Sequence, residues 1–229
     1  MTMTPEQLVG KVPTHLVNTV IGDQPLLVHT MVEADLQSLR DAAVQSGFDF
    51  NVASGFREFE RQKSIWNRKM SGQLAILDHN SQPLDVEKLS EREKIYAILR
   101  WSALPGASRH HWGTDFDIFD KASLPKGSQL QLEPWEYLQG HQVDFYQWLK
   151  NNLAKFGFFF PYAQDKGGVA AEPWHISHFA TATQCLSLFN QQVLRKQLSN
   201  CDVSCEQLVL SELDSIYNQF ITNISTKAG

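Results

Sequence analysis

Within a strand candidate from Thr114 to Phe119 the residues alternate, with Phe116 and Ile118 on one side and Asp115 and Asp117 on the other. A period of two is the mark of a half-buried strand. Two carboxylates on one strand face are costly to bury alone, so that face must meet water or a cation. No other segment constrains the fold as tightly. Gly113 stands just before the strand and permits a tight bend, with His110 beyond it. Further along, Glu172-Pro173-Trp174-His175 offers a second imidazole and another carboxylate.

His110, Asp117 and His175 together make a His2Asp set for one zinc ion. A catalytic zinc site uses three protein ligands and leaves a position open. Glu172 is then the candidate to move a proton. Pro173 biases it toward extended backbone, so this Glu-x-x-His is not helical, and a twist must return Glu172 to the site. His111 and His178 are rival ligands, and Asp115 is either a ligand in place of Asp117 or an outer partner holding a histidine ring. Arg57, at the end of a strand over Phe48 to Ala53, has the planar fork to hold an oxyanion or a carboxylate. Trp112 and Trp174 are core residues or the walls of a substrate cleft.

Composition removes other classes. The net charge of −5, with 20 Lys and Arg scattered along the chain, leaves no basic face for nucleic acid. The longest apolar run, Phe156 to Phe160, is interrupted by Gly157, so no membrane span is expected. Met1 to Val12 lacks the apolar stretch of a secretory leader, and the three cysteines show no framework spacing; both point to a cytoplasmic protein. Oligomeric state is not legible.

Thr30-x-x-Glu33 reads as a capping box for a helix burying Leu36, Leu39, Ala43 and Val44, closed by Gly47. Another helix is expected from about Glu58 to Met70. Ser90-x-x-Glu93 opens a third, running through Ile95, Ile98, Leu99 and Trp101, and a fourth spans about Val143 to Lys155. Gly157 to Phe160 is a short strand, and two amphipathic helices split near Ser199 to Cys205 finish the chain. The order predicts an α+β fold in which a small antiparallel sheet carries the zinc site, flanked by helices and closed by a C-terminal helical pair. The 229 residues are expected to form a single domain with its core at about 30–180 and residues 180–229 packed on it.

Ser54-Gly55-Phe56-Arg57 with Gln62, then Ser108-x-His110-x-x-Gly113-x-Asp115-x-Asp117, then Glu172-x-x-His175, resembles the VanY-like D-alanyl-D-alanine carboxypeptidases within the LAS zinc peptidases. The resemblance implies zinc on His110, Asp117 and His175, Glu172 as general base, and Arg57 at the scissile carbonyl. It also implies substrate contacts from Ser108, Gln62 and Ser54, with Trp174 beside them. Asp115 replaces a residue usually small or apolar, and Phe56 a usual tyrosine. The partners implied are peptidoglycan stem peptides or muropeptides. A cytoplasmic enzyme of this kind is expected to remove the terminal D-alanine of a tetrapeptide, an L,D cut made in muropeptide recycling. The other readings are a D,D cut on D-Ala-D-Ala termini, an endopeptidase acting within the stem, and a zinc-containing protein that binds wall peptides without cutting them.

Overall fold

A computed structural model of the chain describes residues 2–199 and 201–226. Helix α1 (Pro5–Leu8) starts at Thr4, which forms a reciprocal capping box with Gln7. An antiparallel hairpin follows, β1 (Leu16–Ile21) and β2 (Gln24–His29). Sequence reading did not find it, although a two-residue Gly-Asp link between β-prone runs is its signal. Gly22 takes a left-handed φ of 61° in that link.

Helix α2 (Glu33–Gln45) buries Leu36, Leu39 and Ala43 as expected, but its N-cap is Val32, with no side-chain cap. Thr30 lies inside a turn closed by the Val32 N–H on the His29 carbonyl, two residues before the cap, and its own N–H pairs with the His15 carbonyl at the end of the hairpin. Val44 lies off the buried face and is largely exposed, while Val32 is fully buried.

Four strands form the main sheet: β3 (Phe50–Ser54), β4 (Asp115–Asp120), β5 (Phe158–Phe159) and β6 (His175–His178). Their order is β3-β4-β6-β5, with every pair antiparallel. One sheet face supplies Phe50, Phe116, Ile118, Phe158 and Ile176 to a core shared with α2 and with Phe145 and Leu149. The latter two belong to a helix over Val143–Asn152, shorter than expected because the chain tightens into a separate turn at Leu153–Phe156.

A second core joins α3 (Phe59–Met70) and α4 (Glu91–Leu99) to the C-terminal helices. Both halves of the Ser90/Glu93 capping box form at the start of α4. Trp101 falls beyond this helix, and its indole N–H donates to the Asp78 carbonyl at 2.9 Å. A short helix, α5 (Pro134–Leu138), precedes the Val143–Asn152 helix, numbered α6. In place of a C-terminal pair the chain forms α7 (Phe179–Leu188), α8 (Gln191–Leu198), α9 (Glu206–Ser211), α10 (Leu213–Ile216) and a π-turn over Tyr217–Ile221. Asn190 makes the break between α7 and α8, its side chain accepting from the N–H groups of Gln192 and Val193. Asn200, in the expected break between the two final helices, and residues 227–229 lie outside the described residues. Among the described residues no helix is long and apolar enough to cross a membrane.

Candidate metal centre

The sheet face opposite the apolar core carries the site. Strand β4 pairs with β6 so that Asp117 lies across from His175, and Asp115 across from Ser177. Cross-strand neighbours on one face are close enough for their side chains to share a ligand. His110 comes from a short helical turn, Arg109–Trp112, that Gly113 ends at a left-handed φ of 68°. A Cβ on Gly113 would stand 2.5 Å from Leu16 Cδ2, so the bend also requires the absence of a side chain. Glu172 returns to the site by a β-turn. The His175 N–H donates to the Glu172 carbonyl at 3.1 Å, with Pro173 at the position where its ring fits a turn. That turn is the twist that sequence reasoning required and left undetermined.

One ligand atom each from His110, Asp117 and His175 lie within 4.8 Å of one another. His110 Nε2 is 3.5 Å from Asp117 Oδ2, and His175 Nδ1 is 3.4 Å from Asp117 Oδ1. Glu172 Oε2 stands 3.2 Å from the same His175 nitrogen. The far nitrogen of each ring is occupied. His110 Nδ1–H donates to the Gly55 carbonyl at 2.9 Å, and His175 Nε2–H to Asp115 Oδ1 at 3.0 Å. Such partners fix ring orientation and turn the other nitrogen inward. Asp117 Oδ1 is buried with no hydrogen-bond partner among the described residues. Two inward imidazole nitrogens and an unsatisfied carboxylate oxygen fit a single divalent ion of the zinc type.

The electrostatics agree with that fit. Burial, reinforced by Glu172 and Asp115, pushes the Asp117 carboxyl up to about 6 against the opposing pull of His175 and Arg57. Burial, with Arg57 and His175 nearby, holds His110 well below the ordinary imidazole value. His175 moves the other way. Burial would lower it, but its hydrogen bonds to Asp115 and Glu172 outweigh that and raise it. Without an ion, those bonds favour the protonated ring of His175, with Nδ1 facing Glu172 and Asp117.

The rival ligands have other partners. His111 is fully buried, its Nδ1–H donating to the Arg57 carbonyl at 2.6 Å while Nε2 accepts from the Gly106 N–H at 3.1 Å. His178 caps α7 and faces Asp35 at 3.0 Å. Asp115 is the outer partner of His175, and it also accepts from Arg109 Nε at 2.7 Å and Thr114 Oγ1 at 2.6 Å. Arg109, buried and bonded at 2.6 Å to Ser177 as well, is the cation this carboxylate required. It occupies the unread middle position of Ser108-x-His110, where spacing alone distinguishes it from no surface arginine.

Arg57 is half-buried, its guanidinium held by Ser54 Oγ and Gln62 Oε1, both at 2.9 Å. Gln62, expected to touch substrate, is fully buried, and its amide N–H is taken by the Ala103 carbonyl at 2.7 Å. Both ends of that amide are occupied, and Gln62 and Ser54 both meet Arg57. Ser108 and Trp174 line a cavity of about 340 Å³ with Arg57, His110, Asp117, Glu172 and His175. Tyr162, absent from the sequence reading, lines it too, its ring 5.0 Å from that of His175.

Residues 25–181 match the VanY family, described as D-alanyl-D-alanine carboxypeptidase, and the chain belongs to that family within the LAS group. An uncharacterized protein of Haemophilus influenzae is 37% identical over 121 residues, covering 52% of this chain and 92% of that one. A D-alanyl-D-alanine carboxypeptidase of Enterococcus faecalis is 32% identical over 143 residues. That match covers 61% of this chain but only 44% of the enterococcal protein. Among solved structures, a mutant of the vancomycin-resistance D,D-pentapeptidase VanY in complex with Zn(II) superposes with a TM-score of 0.50 at 27% identity, covering 78% of this chain and 88% of that one.

Proposed function

We propose that this chain is a zinc-dependent carboxypeptidase that removes a terminal D-amino acid, D-alanine foremost, from peptidoglycan stem peptides. The observation that carries the reading is the unsatisfied Asp117 oxygen between two inward histidine nitrogens, with Glu172 3.2 Å from one of them. His110, Asp117 and His175 would hold a zinc ion, which would supply Lewis acidity for the scissile carbonyl and for water. Glu172 takes a proton from the attacking water as its oxygen bonds to the carbonyl carbon, and returns one to the amine as the C–N bond breaks. Arg57, locked by Ser54 and Gln62, meets the charge that develops on the carbonyl oxygen. Ser108 and Trp174 contact the peptide. The 229 residues act as one domain, with residues 180–229 covering the core.

Of the two possible bonds we favour the L,D cut, on tetrapeptides arising in muropeptide recycling. A second groove of about 900 Å³ meets the cavity at Arg57 and Gln131–Leu132. It offers room for a long side chain before the scissile bond, as the third residue of a stem peptide has. The D,D cut is the second reading, supported by the enterococcal relative's name. The test is metal analysis of the purified protein together with mass spectrometry of tri-, tetra- and pentapeptide muropeptides after incubation. Loss of one D-alanine from the tetrapeptide alone selects the L,D cut, and loss from the pentapeptide alone selects the D,D cut. No cleavage by zinc-loaded protein would sink the enzymatic reading in favour of a binding protein.

A further inference from the structure

The cavity is also lined by a lysine that the reaction proposed above does not use. Lys69 stands in the last turn of α3, and a lysine there commonly does no more than face solvent near the helix C-terminus. This one reaches into the cavity instead, donating from Nζ to Ser102 Oγ at 2.8 Å. Among the described residues it pairs with no carboxylate; the charged group it feels is Arg57, which with burial holds its pKa below the ordinary ammonium value. The same cavity is lined by the apolar side chains of Ile65, Leu77, Leu99, Leu104 and Ile221. A desolvated ammonium with no carboxylate partner and a second cation nearby is costly, and an incoming anion relieves that cost.

We infer that Lys69 is the receptor for the free terminal carboxylate of the peptide. This rests on the carboxypeptidase reading and adds to it a residue that makes the cleft select chain ends. When the last residue is the one released, its carboxylate lies one residue beyond the scissile bond, and a small side chain such as the methyl of alanine suits the apolar wall. A stem peptide also carries side-chain carboxylates, so amidating the terminus alone separates the two sources of negative charge.

The experiment compares a tetrapeptide stem ending in free D-alanine with its C-terminal amide. Zinc-loaded wild type should prefer the acid, and Lys69→Met should lower kcat/KM on the acid roughly 10–100-fold, mainly through KM, leaving the amide unchanged. Lys69→Arg should recover part of the loss. Calorimetry in the Glu172→Gln background, where the peptide stays intact, should show acid binding weakened by the same factor on adding Lys69→Met. Zinc content and melting temperature should stay unchanged. An equal loss on acid and amide, or no loss, overturns the inference while leaving the function standing. Wild type that releases D-alanine from no stem peptide overturns the function instead, and acid and amide bound equally in the calorimeter overturns the role of Lys69 independently.

Discussion

Asp115 and Asp117 are two residues apart on one face of one strand, both buried, and their surroundings treat them oppositely. Asp115 accepts from Arg109, His175 and Thr114. Burial alone would raise its carboxyl, but these partners hold it below the usual carboxylate range. Asp117 has an oxygen with no hydrogen-bond partner among the described residues, and its carboxyl is pushed up to about 6. The first is completed by protein and the second awaits something that is not protein. A buried carboxylate is therefore informative about function when its partners are missing, not when they are present.

Substitutions at the two positions should separate these roles. The largest effect is expected at the incomplete end: Asp117→Asn should abolish zinc retention after dialysis, read by metal analysis, yet leave the metal-free protein as stable as wild type or more so. A loss of metal-free stability there would show that Asp117 is structurally satisfied after all. Next in size, Glu172→Gln should keep zinc and lower turnover by about 10²–10⁴-fold, the span of a lost general acid–base group. Undiminished turnover of the zinc-loaded variant would remove Glu172 from the chemistry.

At the completed end, Asp115→Asn should destabilise the metal-free protein by about 3–5 kcal/mol in denaturant titration, because it leaves the Arg109 charge buried and uncompensated. The same change should weaken zinc by about 10–100-fold through the His175 ring it orients. Equal stability of Asp115→Asn and Asp117→Asn would erase the contrast. The smallest effect is graded with pH. His175 in the metal-free chain is raised above the ordinary imidazole value, so an ion must displace its Nδ1 proton, and affinity should climb by about tenfold per pH unit above pH 6. As pH falls through about 6, Asp117 also protonates and the loss should steepen. Chelator competition from pH 5 to 8 measures both slopes.

Much of the sheet was legible because a strand with alternating faces announces its own burial. The strand around Phe116 and the Ser90/Glu93 capping box were both readable, since each depends on residues within four positions. The hairpin over Leu16–His29 carried a readable Gly-Asp signal that was passed over. The Thr30 cap failed for a different reason: Thr30 lies inside a turn at the end of the hairpin, its N–H on a partner fifteen residues away. Arg109, Tyr162 and Lys69 showed no local signal, since an arginine, a tyrosine and a lysine look alike in sequence whether they face solvent or a cavity.

The candidates were legible in the sequence: residues able to grip a divalent ion, rivals among them, a glutamate able to move a proton, and a strand face that had to find positive charge. Only the folded chain decided that Arg109 meets Asp115, that an Asp117 oxygen has no hydrogen-bond partner among the described residues, and which histidines turn inward. The reason is range. Side-chain type and strand period are fixed by neighbours along the backbone, whereas desolvation and pairing depend on groups far apart in the chain, 68 positions for Arg109 and Ser177 and 143 for Asp35 and His178.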